Sequence, residues 1–64
     1  MTKEQYIIYL QKTLIPDLLE SGSVATAFDF AKAVRFLMGV EVINDYFSDS
    51  GMAHYCRMVC QLKA

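Results

Sequence analysis

The first apolar positions along the chain have the spacing of an amphipathic helix. Thr2, with Gln5 three residues later, fits a capping box at the start of this helix. Gln11 is among the polar residues expected away from the apolar face. We predict a helix from about residue 3 to about residue 20. Its apolar face carries side chains three or four residues apart, at Ile7, Leu10, Leu14 and Leu18.

Pro16 interrupts this helix. A proline inside a helix removes one backbone donor and clashes with the carbonyl four residues earlier, here that of Lys12, at a cost of ~3 kcal/mol. Two outcomes follow: the helix kinks at Pro16, or it stops near Thr13 and a new turn begins with the proline in its first position. The kink is preferred because the apolar rhythm continues to Leu18.

A short break around Gly22 separates the first helix from a second one. Glycine suits the left-handed residue that ends many helices, and either Ser23 or Thr26 suits the cap of the next helix. The second helix is expected to cover about residues 24–38. Phe36 falls away from its apolar face and is predicted to be exposed. That face holds Ala27, Phe30, Val34 and Leu37.

Gly39 leaves the following segment open. It either ends the second helix or lies inside a longer one at a cost of about 1 kcal/mol. Residues 40–47 contain β-branched side chains typical of a short strand, but such a strand would have no partner in this chain. A helix with Val40, Ile43 and Phe47 on one face is the preferred interpretation.

A second break, at residues 48–51, precedes a last helix that is expected to end near Leu62 and to begin at Ser50 or Gly51. The whole pattern predicts one all-α domain over residues 1–64, a compact bundle of three to four short helices that is completed by oligomerisation. The apolar face of the last helix is formed by Met52, Tyr55, Cys56, Val59 and Leu62.

Composition strengthens the expectation of a partner chain. Hydrophobic residues make up 55% of the 64 residues and charged residues 20%, whereas typical domains have about 45–50% and about 25%. So short a chain has little interior and marginal stability, so part of its apolar surface should be buried against another protein. A homodimer is the first expectation. The candidate interface residues are Tyr6, Tyr9, Phe28, Phe36, Tyr46, Phe47 and Met58.

Catalytic and metal chemistry find little support in the sequence. Cys56 and Cys60 are four residues apart on one predicted helix, which aims both thiols the same way, so reduced cysteines are expected. His54 lies two residues from Cys56 and points to another side, so neither a Cys–His nucleophile nor a metal site is expected. We predict a non-enzymatic protein without catalytic residues, metal or cofactor. The first residues show no signal-peptide pattern, which favours a cytoplasmic location.

Two other functions have weaker support. An oligomer could capture a nucleotide or a similar small ligand if Lys32, Arg35 and Arg57 converged at a subunit boundary. A DNA-binding regulator is less favoured, because the net charge is −1 and no basic stripe is visible. We therefore expect no nucleic-acid partner, and the apolar runs are too short for a membrane-spanning helix.

The first half of the chain also resembles a class of known proteins. The resemblance is to short helical proteins of no assigned activity that are encoded by bacteriophages and prophages. It implies a phage accessory protein that acts in the host cytoplasm by binding and blocking a host factor, including components of antiviral defence. No functional residue is part of the match, and the chain after Gly39 departs from it. The matching segments are Tyr9-Leu10, Leu14-Ile15-Pro16-Asp17-Leu18, Glu20-Ser21-Gly22, Ala25-Thr26-Ala27, Asp29-Phe30 and Val34-Arg35-Phe36.

Overall fold

The computed structural model describes residues 1–40, 42 and 48–63, and all regular structure in these residues is helical. This confirms the predicted all-α fold. The interpretation of residues 40–47, with Tyr46 and Phe47, falls almost wholly outside the described residues. The elements in chain order are α1 (Lys3–Tyr9), a π-helical segment (Leu10–Leu14), α2 (Ile15–Glu20), α3 (Val24–Leu37) and α4 (Asp49–Cys60).

The start of α1 has the predicted capping box. The Thr2 hydroxyl accepts a hydrogen bond from the backbone N–H of Gln5 at 3.1 Å, and the Gln5 side-chain oxygen accepts one from the Thr2 N–H at 2.8 Å. Two backbone donors that the helix itself cannot pair are thereby satisfied.

The chain stays helical through Pro16, so the alternative in which the helix ends near Thr13 is wrong. The irregularity that the proline causes takes the form of a π-helical turn just before it. There the Ile15 N–H donates to the Leu10 carbonyl, five residues back. Regular α-helical pairing would press the proline ring against a carbonyl four residues back. The wider turn changes the pairing at this point and lets α2 continue with Pro16 in its first turn.

Two glycines end helices in the same way. Gly22 and Gly39 have φ angles of 85° and 81°. After α3, the Gly39 N–H donates to the Phe36 carbonyl and the Val40 N–H to the Arg35 carbonyl, both at 3.0 Å. This is the Schellman arrangement. It settles the question left open by the sequence, since Gly39 ends the helix. The break at Gly22 has the same pair of bonds.

The caps of α3 and α4 differ. Ser23 lies at the N-cap of α3, but its side chain makes no cap hydrogen bond and instead accepts from the Ser21 hydroxyl at 3.3 Å. Ser23 therefore takes the predicted cap position without the predicted side-chain bond, and the alternative, Thr26, lies inside α3. Helix α4 begins at Asp49, one residue before Ser50, the first of the two predicted starts. The start is set by Ser48, whose hydroxyl accepts from the Gly51 N–H at 3.2 Å.

The core lies where α3 packs against α4 and α2, with α1 and the π segment closing one side. Ala27 and Ala31 are completely buried on α3 and allow close approach of the neighbouring helices. The Cα radius of gyration is 10.8 Å, close to the ~10.7 Å expected for a folded single chain of this length. The core residues are Ile7, Leu10, Ile15, Ala27, Phe28, Ala31, Val34, Tyr55, Cys56 and Val59.

Candidate protein-interaction surface

Several of the predicted interface residues lie outside this core. Phe36 is 70% exposed, which confirms its predicted exposure. Tyr6 and Tyr9, three residues apart on α1, are 39% and 42% exposed, and Met58 on α4 is 45% exposed. These residues occupy three different helices, and two of the other three candidates, Tyr46 and Phe47, are outside the described residues.

Phe28 does not belong to the surface, and its assignment to the interface is wrong. Its ring is buried and meets the ring of Tyr55 edge-on, with 5.2 Å between centroids and 70° between planes. It lies on the side of α3 that packs against α4, next to Ala27 and Ala31. An edge-to-face pair of this kind contributes to the interior beyond simple area burial.

The outer face of α3 has a simple composition. Phe36 shares it with Lys32, Asp29 and Ala25, which lie four, seven and eleven residues earlier. The Lys32 ammonium is 3.4 Å from a carboxylate oxygen of Asp29 and 4.9 Å from the centroid of the Phe28 ring. The contacts of Lys32 therefore hold the middle of this face in place, and the large apolar side chain of the face, Phe36, projects into solvent.

Gln11 has a role that the sequence analysis missed. Its side chain is buried, and its amide nitrogen donates to the backbone carbonyls of Val59 at 2.7 Å and Leu62 at 2.8 Å. The Val59 carbonyl lies in the last turn of α4 and also accepts from the Leu62 N–H at 3.1 Å, while the Leu62 carbonyl lies two residues beyond the helix. The available signal was position, since Gln11 is four residues from both Ile7 and Ile15, each of which is buried.

The three cations proposed for ligand binding have local roles of their own. Lys32 pairs with Asp29. Arg35 and Arg57 lie in the last turns of α3 and α4, where a positive charge interacts favourably with the helix dipole. No recorded polar contact within the described part of the chain joins the three to one another.

Two open grooves border α1, with volumes of about 420 and 470 Å³, and neither is lined by these cations. The first is lined by Lys3, Glu4, Ile7, Leu37, Met38, Gly39 and Lys63. The second is lined by Ile8, Gln11, Lys12, Cys60, Gln61, Leu62 and Lys63. Both grooves combine apolar side chains with two lysines, Lys3 and Lys63 in the first and Lys12 and Lys63 in the second.

The cysteines behave as buried apolar groups. Both are free thiols, and burial raises the pKa of Cys56 to about 11, with a smaller contribution from the neighbouring Cys60. Burial also raises the pKa of Cys60. Because the thiolate is the reactive form, these thiols are poor nucleophiles at neutral pH. Within residues 1–40, 42 and 48–63, no three His, Cys, Asp or Glu side chains are grouped to hold a metal ion.

No helix among the described residues combines the length and the apolar character needed to cross a bilayer.

The candidate site is a surface feature, an exposed aromatic side chain on an ordered helix face, supplemented by two tyrosines and a methionine on other helices. In comparisons with known proteins, no protein-family model matches the chain, and no curated protein or solved structure is significantly similar to it.

Proposed function

We propose that this protein is a small non-enzymatic helical module that acts by binding another protein. The observation that carries the proposal is the position of Phe36, 70% exposed on the outer face of α3. Phe36 is not part of the hydrophobic core and does not pack against it. The interior is also complete in its hydrogen bonds, since no buried side-chain polar atom in the described residues lacks a partner. The fold therefore does not need this ring on its surface, whereas a protein contact would use it.

Energetics favour a contact role for such a side chain. Burying a phenylalanine side chain contributes about 1.5–3 kcal/mol. Aromatic anchors near the centre of an interface supply a large share of binding energy. Tyr6, Tyr9 and Met58 add further interface-prone side chains, although they lie on other helices.

The biological setting is a separate part of the proposal and depends on the resemblance alone. If the chain is a phage accessory protein, its partner is a host protein that it binds and inhibits, such as a component of antiviral defence. Stoichiometric inhibition of this kind requires a stable contact surface and no catalytic group.

The experiment is affinity capture from a bacterial host lysate with the immobilised full chain, read by mass spectrometry. Three baits are compared: the wild type, Phe36→Ser and Ile8→Ser. Ile8 is the matched control, since it is a large apolar side chain, 43% exposed, on a different helix. We expect a partner retained by wild type and Ile8→Ser and reduced at least tenfold with Phe36→Ser, equivalent to about 1.4 kcal/mol. Equal recovery by all three baits, or no specific partner, would overturn the proposal.

A further inference from the structure

The outer face of α3 has an order of side chains that is complementary to itself. Ala25, Asp29, Lys32 and Phe36 are separated by four, three and four residues, the spacing of a coiled-coil seam. From one end to the other, the seam presents a small side chain, an acid, a base and a large aromatic ring. We define these four residues as the α3 seam.

The α3 seam lies on the side of the helix away from the core. Ala25 and Phe36 are exposed, and the Asp29 side chain is 74% exposed. The Lys32 side chain is only 26% exposed, and its ammonium both lies over the Phe28 ring and pairs with Asp29. In the α3 seam, Lys32 is therefore held in place by its neighbours, while Ala25, Asp29 and Phe36 are open to contact by another chain.

From this arrangement we infer that α3 pairs with α3 of a second copy of this chain, in antiparallel orientation about a two-fold axis. The inference rests on the proposed function in one respect, since it assigns a contact to the same surface and Phe36 belongs to both. The axis lies midway between residues 30 and 31. In a two-fold contact, whatever residue i meets is met by i in return, so positions equally far from the axis face each other.

Each facing pair in this register is complementary. Phe36 of one copy lies over Ala25 of the other, where the small side chain leaves room for the ring at the usual separation of about 8–10 Å between helix axes. Lys32 of one copy faces Asp29 of the other. Both pairs occur twice, so the two ion pairs within the chains join into one four-charge cluster at the centre of the contact.

The charges also select the orientation. A parallel pair in register would place Asp29 against Asp29 and Lys32 against Lys32, and like charges in direct opposition disfavour association. The antiparallel pair replaces both repulsions with attractions. The sequence of the seam thus favours one of the two ways in which the helices could pack.

Area sets the expected strength. A standard interface buries about 800 Å² on each partner, which is roughly a fifth of the 4332 Å² surface of this chain. The outer face of a single helix supplies less than this, so the dimer is at the weak end of the range, with a dissociation constant on the order of micromolar.

The test uses two charge reversals, each of which should disrupt the dimer when present alone, whereas a mixture of the two should restore it. Asp29→Lys and Lys32→Glu are prepared as full-length chains. Glu20→Lys is the matched control, since it makes the same charge change as Asp29→Lys outside α3. Molar mass is measured by light scattering at about 100 µM, well above a micromolar dissociation constant. Circular dichroism verifies the helix content of each variant.

We expect the wild type and Glu20→Lys to have twice the 7.3 kDa chain mass. Each reversal alone should dissociate, with binding weakened at least tenfold. An equimolar mixture of the two should return to twice the chain mass, because the Asp29→Lys chain presents only cations to the carboxylates of the Lys32→Glu chain. Mixing leaves the pairing within each chain unrepaired, so recovery reports the contact between chains.

Three results would overturn the inference. Single reversals that stay dimeric, or a mixture that stays monomeric, would contradict this register. A monomeric wild type would show that a second copy does not cover this face. In that case the capture experiment still decides the proposed function. A host protein that the wild type retains and Phe36→Ser loses would support that function even if the chain does not dimerise.

Discussion

Gln11→Ala is expected to destabilise the fold although it removes a polar side chain. In the wild type one buried amide holds two carbonyls at the end of α4, those of Val59 and Leu62, at 2.7 and 2.8 Å. A hydrogen bond of this kind contributes about 1 kcal/mol net. The bonds therefore contribute about 2 kcal/mol together.

Two other terms together lower this figure by about 1 kcal/mol. Truncation also removes a buried methylene worth about 0.8 kcal/mol, while it releases a side chain whose ordering costs up to about 1.5–2 kcal/mol. The Val59 carbonyl retains its bond from the Leu62 N–H at 3.1 Å, so it is not left without a donor. The sum gives an expected loss of about 1 kcal/mol, or about 4–8 °C in Tm for a domain of this size.

The assay is urea unfolding followed by circular dichroism, with Gln61→Ala as the matched control on the exposed side of the same end of α4. The control should change stability by less than about 0.5 kcal/mol. Gln11→Met separates bonding from volume, since it keeps the length of the side chain and loses both donors. If Gln11→Ala and Gln11→Met were both as stable as the wild type, the hydrogen bonds would not stabilise the fold as argued.

Three further outcomes follow from the structure. Gly39→Ala should cost about 1–2 kcal/mol in urea unfolding, because φ is 81° while no atom lies within 4 Å of an added Cβ; Gly39→Asn should cost less, and an equal cost would point away from the backbone. Raising the pH from 9 towards 11 should destabilise the wild type, since the folded state keeps Cys56 protonated to about pH 11 whereas its ordinary pKa is 9.0. The stabilisation is complete below pH 9, and Cys56→Ala should lack this part of the pH dependence; parallel curves would contradict the burial argument. Tyr9→Glu should reduce partner capture while changing unfolding by less than about 0.5 kcal/mol, and unfolding of this variant would place Tyr9 in the core.

The helices could be predicted from sequence because local chemistry specifies them. The Thr2 capping box, the glycine at position 22 and the apolar spacing of α3 and α4 each correspond to an observed element. Gly39 was ambiguous because a glycine can end a helix or lie within one. Only the pair of hydrogen bonds around it distinguishes these cases.

The π turn before Pro16 was harder to anticipate. The sequence indicates that regular pairing must fail at the proline, but several local rearrangements relieve the same clash. Which one occurs depends on how the preceding turn packs, and here Leu10 is completely buried while Gln11 is held by α4. Tertiary contacts therefore decide the form of the irregularity.

The surface was only partly predictable, and for a related reason. Phe36 lies opposite the apolar face of α3, so periodicity alone places it outside. Phe28 lies at the edge of that face, where its position depends on whether a neighbouring helix reaches it, and Tyr55 of α4 does. Gln11 shows the converse case, since its polar side chain is buried because α4 ends beside it.

Sedimentation equilibrium over a range of concentrations tests most directly whether the outer face of α3 makes a contact. The wild type should approach twice its 7.3 kDa mass at tens of micromolar, given a dissociation constant on the order of micromolar. Phe36→Ser should remain at the mass of one chain under the same conditions. A wild-type protein that stays a single chain throughout, with Phe36→Ser indistinguishable from it, would contradict the account of this face as a site of self-association.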